Sequence, residues 1–507
     1  MKKILHANTI KMKALVSYQG NNTWYTPLKA SGSVLTNPIA FQHAKNPPQY
    51  TPEELAELAA CRNSARLVIE KSQLKVLQDY FHEKSDTDTV MGKYYRELSF
   101  SDFFLRLYQK RYRTIYLNGR MLIPRSADDI LAKAKSKFYY SHFFSSNPYC
   151  RYLDLISMIG SEADKSGLYR EYLTVQEMML TPTIIPQGLS IMIGTGSRDD
   201  HWPVAEEALA ATDLAVLSSA VGPEFNDGAT LHLDSQWIVL ADQSTDQGYA
   251  HIEALKADKP LVNAARKLYG GALAIDFHPW MARRDKTRNF LLMIVGDQKY
   301  WLYKPAYQAR LRTLLKTLLL SSDEAMHLAN TGTVFNLKGL GLGAFGFSGR
   351  INQNILEQCY IDTVKSVLAE IAGLFKHITV VNLINLPSDW SDQNPVTPVS
   401  EYAGVSLIRS VMSPTEKTIP GRTEVIGGTH ACGDSASMWG NEGQIGARRS
   451  DSDDPATAYS VLDPLMYDPA HNKRFQSTES IVVLDCMSNI LEPYFEQSSM
   501  KPTTKFI

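Results

Sequence analysis

The sequence predicts an α/β protein, with a sheet domain over residues 181–507 preceded by a mainly helical accessory domain over residues 1–180. Three observations predict it. From about residue 181 short apolar runs, GLSIMIGTGS, TDLAVLSSAV and QWIVLAD, are bounded by turn residues, which suits strands alternating with helices. Residues 331–386 read as a strand, a glycine loop, a long helix and a second strand. Residues 53–179 instead keep helical spacing through LAELAACRNSARLVIEKSQLKVLQDYF, SFSDFFLRLYQKRYRTIYL and SADDILAKAKSKFYYSHFF.

Taken in order, residues 1–48 are polar and punctuated by Gly, Asn, Ser and Pro, which fits short strands or an irregular arm. A helix is expected from Thr51, an N-cap residue followed by Pro52, Glu53 and Glu54. The aromatic density over residues 100–116 and 138–144 marks helix packing. Lys110, Arg111 and Arg113, with tyrosines between them, suit a solvated helix face or contact with RNA or phosphate. Asp199, Asp200, His201 and Trp202 follow Gly194 and Gly196 beyond a strand end, where ligand loops collect; a polar surface turn would look the same. Residues 387–418 read as a loop or insertion, and residues 427–455 as a long acidic loop of small, polar and acidic side chains, functional or else disordered. The strand SIVVLD, a short helix and a polar tail close the chain.

Bulk properties exclude several classes. A chain of 507 residues with 44% hydrophobic residues can build real cores, and its net charge of −1 offers no field for nucleic acid or an anionic membrane. Five cysteines without a CxxC pair fit a reducing compartment and no structural zinc. The N-terminal apolar run is too short for a secretory signal, and no stretch is long and apolar enough for a transmembrane helix.

Chemistry concentrates in two stretches. Gly339, Gly341, Gly343, Gly346 and Gly349 precede a helix whose N–H groups and positive dipole end suit an anion, phosphate above all; a packed turn without ligand is the alternative. Arg350 and Ile351 follow Gly349, so the Lys-Ser/Thr ending of a Walker loop is missing. A dinucleotide GxGxxG laid over Gly341, Gly343 and Gly346 finds its acid, Asp362, inside the helix rather than at a strand end. In the acidic loop, Asp434, Asn441, Glu442, Asp451, Asp453 and Asp454 can converge on sugar hydroxyls or a guanidinium, and a carboxylate there can activate water at an anomeric carbon. Calcium would also accept such oxygens, but Pro455 stands where an EF-hand needs glycine.

The loop GAFGFSG, residues 343–349, resembles the second phosphate-binding loop of macrodomains, which cradles the diphosphate of ADP-ribose. RNFLLMIVGDQKYW, a strand to Val295 before Gly296, and the helix KPAYQARLRTLLKTLLL extend that likeness over residues 288–386. In PLVNAARKLYGG, Val262, Asn263, Ala264 and Ala265 match the macrodomain VNAAN strand and loop, with Arg266 replacing its last asparagine. With the acidic segment GDS…GNEG…SDDPATA, the chain resembles the atypical macrodomains of bacterial type IV secreted effectors, the MavL-like arginine-directed ADP-ribosylhydrolases.

The resemblance implies a three-layer α/β/α macrodomain that binds ADP-ribose through Gly341, Gly343, Ala344, Phe345, Gly346, Phe347, Asn441 and Asn263. Phe345 or Phe347 would pack on a sugar or base, and the catalytic carboxylates would come from Asp434, Glu442, Asp451, Asp453 and Asp454. No metal or cofactor is implied beyond ADP-ribose as ligand or product. The implied partner is an ADP-ribosylated host protein, ubiquitin among the candidates, met in the host cytoplasm without a Sec signal. The tail EPYFEQSSMKPTTKFI resembles type IV export signals. A non-catalytic ADP-ribose reader, and an effector acting through its helical front half, are the rival expectations.

Overall fold

The computed structural model describes residues 63–109, 112–117, 120–122, 173–191, 214–225, 234–240, 256–329, 332–343, 346–347, 349–388, 396–412, 418–433, 437–445, 474 and 477–494. The helix start at Thr51, Lys110, Arg111, the group Asp199, Asp200, His201 and Trp202, and residues 495–507 of the C-terminal tail lie outside them.

In chain order the elements are β1 (Arg66–Glu70), α1 (Lys71–Ser85), α2 (Val90–Tyr95), α3 (Phe100–Gln109), β2 (Tyr112–Leu117), β3 (Arg120–Leu122), α4 (Val175–Leu180), β4 (Ile184–Ile191), β5 (Leu214–Val221), α5 (Ser235–Ile238) and β6 (Val239–Leu240). There follow α6 (Lys259–Leu268), α7 (Pro279–Arg284), β7 (Phe290–Val295), β8 (Gln298–Tyr303), α8 (Lys304–Ala329), β9 (Val334–Lys338), α9 (Arg350–Ile371), β10 (Val380–Ile384), β11 (Val396–Tyr402), β12 (Val405–Ser410), β13 (Ile426–Gly433), β14 (Ser437–Ile445), β15 (Ile481–Asp485) and β16 (Ile490–Pro493).

Ten strands form one sheet in the order β11-β12-β10-β9-β13-β5-β4-β1-β15-β16. Within it β12, β10, β9, β13 and β5 lie parallel and adjacent, so their carboxyl ends share one edge. The predicted strand–loop–helix–strand unit is present as β9, α9 and β10, and VVNLI of β10 is buried throughout, as a strand covered on both faces must be. Two smaller sheets, β14-β2-β3 and β6-β8-β7, accompany it.

Helix α9 buries Leu356, Tyr360, Val364, Val367, Leu368 and Ile371 at helical spacing, each worth about 1.5–3 kcal/mol by transfer from water. Ile351, expected on that face, is instead 73% exposed, while Asn352 beside it is the buried residue of the first turn. Helix α8 lies against β1, β4, β5 and β13. A buried polar cluster fixes that packing: the Gln187 amide donates to Ser218 Oγ (2.8 Å) and Ser321 Oγ (3.0 Å), while Arg66 donates to Gln187 Oε1 (2.7 Å) and Glu324 (2.6 Å).

The front half, expected to be mainly helical, supplies part of this sheet. Arg66–Glu70, expected within a helix, is β1, paired with β4 and β15, because its apolar core LVI is β-branched-rich and wholly enclosed. Glu70 then caps α1, accepting the Ser72 and Gln73 N–H groups at 2.7 and 3.1 Å. Tyr112 and Tyr116 fall on β2 and residues 138–144 lie outside the described residues, but the expected aromatic helix packing holds for Phe100–Gln109, where Phe103 packs ring on ring with Phe81 and Tyr95. Beneath it Glu177 accepts two bonds from Arg106 (2.7 and 2.9 Å) and one from the Tyr95 hydroxyl (2.8 Å).

Other expectations are corrected. YRTIYL is a strand, β2, since its alternating aromatic and β-branched residues outweigh the helical spacing before it. Residues 387–418 contain the hairpin β11–β12, turning at Ala403 and Gly404 in left-handed conformations. The strand expected to end at Val295 before Gly296 is present as β7, but it turns at Gly296 (φ +58°) into β8 and forms a hairpin of a separate small sheet rather than a strand of the main one. The terminal short helix is the strand β16, paired with β15.

Candidate functional site

At the carboxyl edge of the sheet, the loops that leave β5 and β9 come together although β13 lies between their strands. A Cβ on Gly222 would lie 2.5 Å from the Gly341 nitrogen, and one on Gly341 would lie 2.4 Å from the Pro223 oxygen. Gly341 also has φ +70°, so both contact and torsion require glycine. Leu340 and Leu342 on either side are buried and anchor the loop. Gly343 faces open space, and the Gly346 N–H closes a tight turn onto its carbonyl at 2.9 Å.

The chain then enters α9 through Gly349, φ +92°, which supplies no side-chain cap. The Gln353 N–H donates to the Gly349 C=O at 3.0 Å as the helix begins. A 22-residue helix that begins this way presents backbone donors and a positive dipole end without a competing side-chain acceptor at its N-cap.

Deeper groups hold both loops. Arg310 of α8 donates to Val221 C=O at 2.9 Å, and its Nε lies 3.4 Å from Asp234, whose carboxylate accepts the Glu224 N–H at 2.9 Å and the Tyr269 hydroxyl. Burial first, and the Asp234 charge second, push the Tyr269 phenol well above its ordinary range, so it remains the donor. Phe225 of the β5 loop stacks on Phe347 of the glycine loop at 5.0 Å, and Tyr300 of β8 lies 6.0 Å from Phe347. On β13, burial and then the charge of Lys338 pull the His430 imidazole down to about 3. Its neutral Nδ1 accepts the Lys338 N–H at 3.1 Å, which fixes the last residue of β9 just before the loop.

These positions assign the expected residues to different surroundings. Gly341, Gly343 and Gly346 lie together in the loop at the carboxyl edge. Phe347 is fully enclosed against Phe225, a core side chain rather than an open platform. Ala344 and Phe345 lie outside the described residues. Asn263 is not at a strand end: Lys259–Leu268 is a helix, N-capped by Asp258 with Pro260 in its first turn, and the exposed Asn263 amide donates to Glu83 at 2.9 Å.

The long acidic loop is in part strand. β13 carries on to Gly433, level with Val221 of β5, because Gly427 and Gly428 let it lie against Gly332 and Phe335. Asp434 follows Gly433 directly in sequence, and with Asp451, Asp453 and Asp454 it lies outside the described residues. Asn441 and Glu442 fall on β14, where Glu442 is paired in register with Thr114 of β2.

Sequence reasoning missed Arg310, Asp234, Tyr269 and His430. Only His430 left a trace, a lone histidine among small residues, because the other contacts join segments far apart in the chain. Among the described residues no group of three or more His, Cys, Asp or Glu could hold a metal, and no helix is long and apolar enough to cross a membrane. No curated protein matches the chain. Residues 152–493, more than half of it, match the family described as ADP-ribosylhydrolase MavL-like, and the protein belongs to this MavL-like family of atypical macrodomains.

Proposed function

We propose that this protein is an ADP-ribosylhydrolase that removes ADP-ribose from a modified protein side chain, arginine in particular, as a bacterial effector acting inside a host cell. The observation that carries the reading is the backbone contact between Gly222 and Gly341, which closes two loops together beside the uncapped start of α9. In this reading the main-chain amides of the glycine loop take the diphosphate, as helix N-termini and glycine loops favour anions.

The chain leaves β13 at Gly433 on the same edge, so Asp434 begins the acidic segment that supplies the chemistry in this reading. There a carboxylate takes a proton from water while the water oxygen bonds to the anomeric carbon. The carbon–nitrogen bond breaks with its electron pair going to the guanidine nitrogen, and the proton taken from water passes from the carboxyl group to the departing guanidine. Free ADP-ribose and unmodified arginine result. Neither a metal nor a cofactor enters this scheme.

The test is release of ADP-ribose from an arginine-ADP-ribosylated protein such as ubiquitin, followed with Glu442→Gln and Asp454→Asn variants. The reading expects release by the parent protein, and a fall in turnover with ADP-ribose affinity kept in at least one variant. Tight binding of ADP-ribose without release would instead identify a reader of the modification, since one fold serves both purposes.

A further inference from the structure

We infer that Asn352 is a positioning residue that registers the β7–β8 hairpin against the first turn of α9, so that the ligand geometry of the glycine loop depends on the hairpin. This rests on the reading that the glycine loop takes the diphosphate of ADP-ribose. The evidence is a two-bond clamp. Asn352 Oδ1 accepts the Ile294 N–H at 3.0 Å, and Asn352 Nδ2 donates to the Ile294 carbonyl at 2.6 Å.

Among the described strands β7 is an edge strand, with β8 on one side. Its outward N–H and C=O would otherwise be unpaired, and the side-chain amide, a copy of a peptide group, completes the ladder at one residue. Asn352 is 2% exposed although it stands only three residues after the N-cap. An asparagine so near a helix start usually serves local backbone. Here both ends of its amide reach a strand 58 residues away in sequence.

A second contact joins the same two units, since Tyr300 of β8 packs toward Phe347, which stacks on Phe225 of the β5 loop. These contacts tie the hairpin to the first turn of α9 and, through Phe347, to the β5 loop. The clamp also sets Ile294 and Ile351, 47% and 73% exposed, at the rim beside the candidate site.

The experiment compares Asn352→Leu with Asp323→Asn. Asp323 accepts the N–H groups of Lys376, His377 and Ile378, at the amino end of β10 and the opposite edge of the sheet. Each full-length variant is examined by thermal melting, by calorimetry with ADP-ribose, and by amide hydrogen exchange of the free protein over residues 339–349. N352L is expected to lower ADP-ribose affinity at least about tenfold, as small misplacements of a binding group do, and to speed exchange in the loop.

D323N is expected to lower the melting temperature while leaving loop exchange and affinity within about twofold of the parent, since its bonds are remote from the loop. Where N352L does not fold, Asn352→Asp, which keeps the acceptor and loses the donor, is measured in the same way. Unchanged loop exchange in the Asn352 variant overturns the inference, as does an affinity loss that only tracks stability in both variants. Faster loop exchange in a protein that binds no ADP-ribose would retain the coupling and remove the proposed ligand, so the two failures are distinct.

Discussion

At the amino ends of β9 and β13, Gly332 and Gly427 meet backbone to backbone; at the carboxyl ends of β5 and β9, Gly222 and Gly341 do the same. The amino-edge contact is sealed. Thr333 and Val334 both donate to the Val425 carbonyl at 3.1 Å, and Met326 of α8 closes over Gly427. The carboxyl-edge contact leads instead to Gly343, where an added Cβ would meet open space, and to a helix whose N-cap residue, Gly349, makes no side-chain cap bond. Both are close approaches that only glycine permits. What separates a structural contact from a candidate binding one is whether the chain next satisfies its backbone groups or leaves them facing outward.

The largest effect is expected at the sealed edge. A Cβ at Gly427 would lie 2.2 Å from the Gly332 oxygen, so Gly427→Ala should cost about 3 kcal/mol or more by overpacking, read as a lower melting temperature. ADP-ribose affinity of the folded fraction should stay as in the parent. A variant that folded well but lost affinity would break the comparison.

Gly341→Ala adds a clash with the Pro223 oxygen to a φ of +70°. Its expected stability loss is smaller, about 2 kcal/mol, because the loop can shift. Calorimetry should show a loss of ADP-ribose affinity beyond what that stability loss explains.

A third expectation concerns pH. Unfolded, the His430 imidazole takes a proton as pH falls through about 6.5, but folded it stays neutral to about 3. Protonation therefore favours the unfolded chain, and stability should fall by about 1.4 kcal/mol per pH unit between those values. Denaturation curves of His430→Asn against pH should show a shallower fall over that window, and equal slopes would deny the buried neutral state.

The smallest expected effect on stability sharpens the comparison most. Nothing lies within 4 Å of a Cβ built on Gly343, so Gly343→Ala should change stability by less than about 0.5 kcal/mol. It should still weaken ADP-ribose binding if the ligand comes against that backbone. Unchanged affinity would move the diphosphate away from Gly343.

Much of the fold was legible because its signals are local. The β9, α9 and β10 unit follows from glycine spacing and a periodic apolar face. β1 was hidden because LVI is surrounded by residues that also suit a helix, and only pairing with the distant strands β4 and β15, the latter over 400 positions away, makes it a strand. β13 was hidden for the opposite reason. IGGTHACG has the composition of a loop, yet burial and close backbone packing make it a central strand. At the candidate site, the glycine loop announced itself, whereas its supports Arg310, Asp234 and Tyr269 act across long sequence separations that no motif records. Phe347 illustrates the limit: its motif suited a ligand platform, and only the stacking on Phe225 shows it to be core.

The most direct test of the account titrates ADP-ribose into the parent protein, G343A and G427A by calorimetry, with melting temperatures measured on the same samples. The account predicts binding by the parent, weakened binding by G343A at unchanged stability, and parent-like affinity in G427A at reduced stability. No binding by the parent at millimolar ADP-ribose, or a loss of affinity in G427A alone, would contradict it.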